Sequence, residues 1–165
     1  APAEKYHTHF DLKVYLSGKM VDFTQEKYQS KDGHELNVDI HVHDGNGEIV
    51  HIHKKGVAVG EFFKSLPMVL SASCLETDTK EKYCSDAKNS LKLLVNGKEN
   101  NQFENYQPQD LDRVLISFGP KSDSRLSTQI NSVTDTACIY SLKCPERGKP
   151  PAEKCVGGLG SDCKD

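Results

Sequence analysis

The chain has no tryptophan, only two methionines, and no two cysteines close enough to form a Cys-x-x-Cys pair. It also lacks an apolar run near the ~20 residues that a membrane-spanning helix requires and an excess of basic charge. Each absence removes a class of function. Without closely spaced cysteines, zinc-ribbon and thioredoxin-type sites are excluded, and thiol–disulfide exchange becomes the weakest reading. With 24 acidic against 21 Lys and Arg side chains, the net charge is −3. A nucleic-acid binder needs a clustered cationic surface to neutralise phosphates, so no nucleic-acid partner is expected. The Gly56 to Gly60 stretch carries no P-loop lysine. No Asn-x-Ser/Thr sequon occurs, and no Ser-His-Asp grouping can be read.

What the chain does contain is concentrated. Its 165 residues include six cysteines and seven histidines. Cys74, Cys84, Cys138, Cys144, Cys155 and Cys163 form an even set, best explained by three disulfides in an oxidising compartment. A start at Ala1-Pro2-Ala3 fits signal-peptide cleavage. Together these predict a secreted, cell-surface or periplasmic protein that does not span a membrane. Cys74 and Cys84 are expected to close a small loop over Glu76 to Lys82. The four later cysteines allow three pairings, and the sequence does not choose among them.

Composition changes at Gly119-Pro120. The expected division is a His-rich domain over residues 1–119 and a helical, disulfide-stapled extension over 120–165. In the first part, Phe10, Leu12, Val14 and Leu16 alternate with polar residues, as a strand with one buried face does. Ser17-Gly18-Lys19 turns it into a short strand, Met20 to Phe23. Leu36, Val38, Ile40 and Val42 alternate again, and Val50 and Ile52 lie in the strand that returns from the Asp44-Gly45-Asn46-Gly47 turn. Val59, Phe62, Phe63 and Leu66 define one face of a helix that Pro67 helps to end. Leu70, Ala72 and Cys74 run along an extended segment. Strands over Leu91 to Val95 and through Val114, Ile116 and Phe118 follow, the former closed by Asn96-Gly97. The fold class is therefore α+β, a mixed sheet with one helix packed on one face, plus the cysteine-rich appendage. In the appendage Leu126, Ile130, Val133 and Ala137 form a single helical stripe.

This order resembles the β-grasp (ubiquitin-like) fold. Leu93-Leu94-Val95-Asn96-Gly97 and Asp112-Arg113-Val114-Leu115-Ile116 look like the closing strands of its sulfur-carrier branch. The resemblance covers residues 9–118, with a long insertion at Thr24 to Asn37. A carrier needs a free Gly-Gly terminus, whereas this chain continues past Gly119, so the resemblance implies architecture and not carrier function. The paired His-x-His strands and the following helix are also similar to a group of secreted, mostly uncharacterised prokaryotic proteins.

Six of the seven histidines form three His-x-His pairs: His7/His9, His41/His43 and His51/His53. His34 stands alone in a polar loop, where a solvated side chain is expected. Residues i and i+2 of a strand share one face. Val38, Ile40, Val42, Val50 and Ile52 all take even positions, as do Phe10, Leu12 and Val14. The paired histidines take odd positions and are expected on the opposite, water-facing side. A two- or four-residue loop would split the two apolar sets. A three-residue loop, Gly45-Asn46-Gly47, keeps them together, with Gly47 in the left-handed position. That register pairs Asp44 with Glu48, His41 with His51, and Asp39 with His53. Four imidazoles and the Asp39 carboxylate would then share one patch, which His7 and His9 join or extend into a second site.

Imidazole donors suit Cu(II), Zn(II) and Ni(II), and equilibrium affinity favours copper. Copper(I) carriers usually offer Met or free Cys, whereas Met20 and Met68 are expected to be buried and the cysteines oxidised. Copper(II) is preferred, with zinc second. Calcium wants oxygen ligands, and Asp44 to Glu48 is too short for a calcium loop. The first reading is an exported protein that sequesters, delivers or senses the metal through His7, His9, His41, His43, His51, His53 and Asp39. The alternatives are a metalloenzyme, or a module whose His face forms a metal-bridged or pH-dependent interface with a second copy or another exported protein. For the enzyme, Asp11, Asp39 and Glu48 are acid/base candidates by proximity, though a flat sheet offers no pocket.

Overall fold

A computed structural model describes residues 5–152. Ala1-Pro2-Ala3, Cys155 and Cys163 therefore lie outside the described residues. The strands, in chain order, are β1 (Thr8–Leu16), β2 (Lys19–Met20), β3 (Gln29–Ser30), β4 (Ile40–His43), β5 (Ile49–Ile52), β6 (Val69–Leu70), β7 (Cys74–Glu76), β8 (Lys82–Cys84), β9 (Asn89–Val95), β10 (Lys98–Asn100) and β11 (Arg113–Pro120). The α-helices are α1 (Val59–Ser65), α2 (Leu126–Ser132) and α3 (Ala137–Tyr140). The main sheet has eight strands in the order β10-β9-β11-β1-β5-β4-β3, with β2 paired to β1. The β1/β11 and β3/β4 pairs are parallel and the others antiparallel, so the sheet is mixed and the class α+β.

The even-residue rule places the main core as expected. Phe10, Leu12, Val14, Ile40, Val42, Val50 and Ile52 join Val59, Phe62, Phe63 and Leu66 of the α1 region in one buried cluster. Burying large side chains of this kind contributes roughly 1.5–3 kcal/mol each. The β4/β5 register is also the expected one, with Ile40 opposite Ile52 and His41 opposite His51. The Cys74–Cys84 disulfide links directly opposed residues of β7 and β8. In the tail, Cys138 pairs with Cys144.

Other expectations are corrected. The alternating segment does not reach back to Leu36 and Val38, which are 41% and 55% exposed. Asn37 explains this locally: its side-chain oxygen accepts the Asp39 amide at 2.8 Å, an Asx turn that holds the chain off the sheet until Ile40. The left-handed residues of the β4–β5 turn are Asp44 and Gly45, at φ 57° and 73°, rather than Gly47. Gly47 is needed for space, because a Cβ there would lie 2.7 Å from the Thr24 amide nitrogen. The second strand shrinks to β2, which leaves Met20 44% exposed; Met68 is buried. The single tail helix is broken between α2 and α3. Val133 turns extended at ψ 124° and is buried against Leu94 and Leu115. The Arg113 guanidinium takes up the carbonyls of Val133 and Thr134 that a continuing helix would have used.

The largest correction concerns the odd-numbered face, which is not water-facing. Residues 126–141 lie across it. Toward β9 and β11 they bury Leu94, Leu115 and Val133 beside Tyr15, Leu126 and Ile130. Toward β1 and β5, α3 lies against the histidines. Asp11 anchors this cover: fully buried, its carboxylate accepts from Thr134 Oγ1, the Thr136 amide and hydroxyl, and the Ala137 amide at 2.6–3.2 Å.

Candidate metal centre

Three neighbouring strands supply the histidines. His9 on β1 is opposite His51 on β5, and His51 is opposite His41 on β4. His7 and His53 continue the same face at the strand ends, and His43 lies beside His51, its ring centroid 4.1 Å away. All six rings therefore form a contiguous patch, with neighbouring centroids 4.1–6.5 Å apart. His9, His41, His43 and His51 are only 1–2% exposed. His34 is exposed in its loop, as expected.

His7, His9 and His51 lie close enough to hold a metal ion: one nitrogen from each falls within 4.8 Å of the other two. His51 Nδ1 and His7 Nε2 are 3.5 Å apart.

The surroundings decide which nitrogens can serve. His9 Nδ1 is 2.7 Å from Ser141 Oγ, whose hydroxyl donates to Asp110 Oδ1 at 2.6 Å. The serine oxygen must then accept the imidazole proton, so His9 carries its hydrogen on Nδ1 and its lone pair on Nε2. Asp110 is in turn held by Lys143 and by the His9 amide. His41 Nδ1 meets the Asn37 carbonyl at 2.7 Å and His43 Nδ1 meets Asp44 Oδ2 at 2.8 Å. Neither oxygen can donate, so these rings too are protonated on Nδ1. Fixing one ring nitrogen with an outer acceptor, and so leaving the other basic, is the arrangement that metal-ligating histidines show.

A further observation supports the fit. His9 Nε2 and His53 Nδ1 are buried without a hydrogen-bond partner among the described residues. A buried polar atom left unpaired costs roughly 1–3 kcal/mol, and a metal ion at His9 Nε2 would satisfy its lone pair. The imidazoles are also held neutral, as ligation requires. Burial, then the charge of His7, lowers His9 to about 3. Burial lowers His41 to about 4, and burial with the charge of His41 lowers His53 to about 3. His51 is driven well below its usual value by burial, and His7 and His43 are lowered by the same cause.

The carboxylates named in the sequence are not members of the His7/His9/His51 group. Asp39 has an oxygen 3.8 Å from Lys54 Nζ, and its backbone carbonyl accepts the His53 amide. Glu48 pairs with Lys13 at 3.4 Å. Asp11 holds the tail. Conversely, Ser141, Asp110 and Tyr140 gave no sequence signal: Ser141 is 132 positions from His9, and no local spacing links them. Tyr140 sits with its ring 5.8 Å from those of both His9 and His51. Asp44 adjoins His43 and could have been noticed, but turn chemistry accounted for it.

The described residues contain no helix long and apolar enough to cross a membrane. Comparison of the chain with protein-family models, with curated proteins and with solved structures gives no match.

Proposed function

We propose that this chain is an extracytoplasmic metal-binding protein that holds Cu(II), or Zn(II) as the second choice, through its paired His-x-His strands. The observation that carries the reading is His9. Its Nδ1 is occupied by the Ser141–Asp110 relay, while its buried Nε2 has no partner of its own among the described residues, and His9 belongs to the three-histidine group. Nitrogen-only donors on a borderline-soft site favour copper over zinc in the general affinity order. The four described cysteines are all in disulfides, so thiolates do not compete as ligands and an oxidising compartment is supported. Sequestration, delivery and sensing all use such a site.

The same proposal extends to the architecture. The order β5-β1-β11-β9-β10, with β1 and β11 parallel at its centre and α1 between β5 and β9 in the chain, supports a β-grasp reading of the sheet. Strands β3 and β4 and the tail are then additions to it.

The test is metal analysis of untagged protein from its native compartment, followed by titration of the metal-free chain with Cu(II) and Zn(II). Tight uptake that His9→Gln and His51→Gln each weaken at least tenfold is expected. Failure of the full-length, folded chain to bind either ion would overturn the reading.

A second reading is catalysis at the same metal. A cavity of about 390 Å³ is lined by Leu12, Met20, Phe23, Asn46 and Tyr140, and the Tyr140 ring also lies 5.8 Å from those of His9 and His51. Copper- or zinc-dependent turnover of a substrate soaked into that cavity, abolished by His51→Gln, would establish it.

A further inference from the structure

The three-histidine set does not account for His41 and His53. Neither belongs to the group whose nitrogens lie within 4.8 Å of one another. Yet their Nε2 atoms face each other at 3.2 Å, with ring centroids 4.7 Å apart. Two imidazole nitrogens bound to one ion at about 2.0–2.1 Å and subtending a tetrahedral angle stand roughly 3.3–3.4 Å apart. The His41–His53 separation matches that edge, and so does the 3.5 Å between His51 Nδ1 and His7 Nε2. The sheet thus presents two coordination edges rather than one.

The outer contacts of the second edge are already fixed. His41 Nδ1 is tied to the Asn37 carbonyl, so its lone pair lies on the Nε2 that faces His53. The His53 backbone amide is held by the Asp39 carbonyl at 2.8 Å. With His41 Nε2 as acceptor, His53 carries its proton on Nε2 in the metal-free chain. An ion bound at both Nε2 atoms shifts that proton to His53 Nδ1 and exchanges the His41–His53 hydrogen bond for two coordinate bonds.

We infer that the chain binds two ions of Cu(II) or Zn(II), one at His7/His9/His51 and a second, more exchangeable one at His41/His53. This inference rests on the metal-binding reading above. The second ion has two protein ligands, His41 and His53, and water completes its shell. His53 is half-buried at the strand end beside Asp39 and the exposed Lys54, and this ion has two protein ligands where the other has three. A weaker outer position next to a tighter inner one suits loading and release.

The experiment is calorimetric titration of the metal-free, full-length chain with Cu(II), with electron paramagnetic resonance spectra at one and two equivalents. Two ions per chain are expected, the second at least tenfold weaker. The spectrum should broaden through spin coupling when the second site fills, because His7 and His53 of the two sets have ring centroids 4.7 Å apart. His53→Gln should lose the weaker ion and keep the tighter one, whereas His9→Gln should weaken the tighter. Uptake of a single ion by the wild-type chain, or two ions retained in folded His53→Gln, would overturn the inference while leaving the metal-binding reading intact. Uptake of none would remove both. The wild-type spectra decide between one ion and two even if a variant fails to fold.

Discussion

The odd-numbered face of the sheet carries two patches under one continuous cover, and they are built on opposite principles. Beneath α2, the patch contains Leu94, Leu115 and Val133, with Tyr15, Leu126 and Ile130 around them. Its polar exceptions are paired: Ser117 donates to Gln129, and Tyr15 shares a hydrogen bond with Ser132. Beneath α3, the neighbouring patch consists of imidazoles, and two of its buried ring nitrogens lack partners among the described residues. Burial of apolar groups is non-directional, so the first patch requires only filled volume. Packing six imidazoles together requires a specified proton on each ring, and the fold supplies outer acceptors for His9, His41 and His43. The difference shows where stability has been given up and where a ligand would restore it.

Acid should break this comparison most forcefully. The unfolded chain takes up a proton at each imidazole as the pH falls below about 6.5, whereas folded His9 and His41 resist until about 3 and 4. Stability is therefore complete above about pH 6.5 and drains through the window down to about 4. At pH 5 each such buried ring costs about 2 kcal/mol, and the set together costs several. Urea denaturation of the metal-free protein at pH 7.5 and pH 5 measures this; equal midpoints would contradict the buried, neutral cluster. The apolar patch contributes nothing to that window. Its own sensitivity appears in Leu115→Ala, expected to lose about 2–5 kcal/mol at any pH and to leave metal stoichiometry unchanged.

Exchange of one principle for the other gives a sharper contrast. His51→Leu converts the centre of the imidazole patch to the apolar kind. The metal-free variant should gain about 1 kcal/mol at pH 5.5, since a costly polar burial is removed. It should also lose the roughly 2.7 kcal/mol that wild-type protein gains from metal at a hundred times its dissociation constant. Thermal melts with and without copper check both signs. The smallest effect is expected for Ser141→Ala, which removes the acceptor that sets the His9 tautomer. Metal affinity should fall by about 10–100-fold while the melting temperature of the metal-free protein shifts by only a few degrees. Unchanged affinity would show that His9 does not depend on the relay.

Periodicity alone made the even face and the hairpin register legible. The parity of Ile40, Val42, Val50 and Ile52 requires odd residues to oppose odd residues, and the expected loop length then sets His41 opposite His51. The same parity failed at Leu36 and Val38, because an Asx turn at Asn37 decides that segment before the sheet can. Exposure of the odd face was misjudged for a different reason. Its cover is supplied by residues 126–141, more than a hundred positions from His9, and polar residues on a strand look the same to pattern analysis whether water or another layer lies above them. The break at Val133 was hidden likewise, since it depends on Arg113 capturing two carbonyls across the fold. The candidate ligands could thus be named from spacing, whereas the atoms that orient them could not.

Asp11 sits two residues beyond His9 on β1 and grips both sides of the α3 entry. The lid and the floor of the imidazole chamber are consequently tied at Asp11 on one side of α3 and at the Ser141–Asp110 relay on the other. Opening the chamber past α3 means releasing both ties, so admission of an ion by that route would proceed at the pace of their joint unlatching.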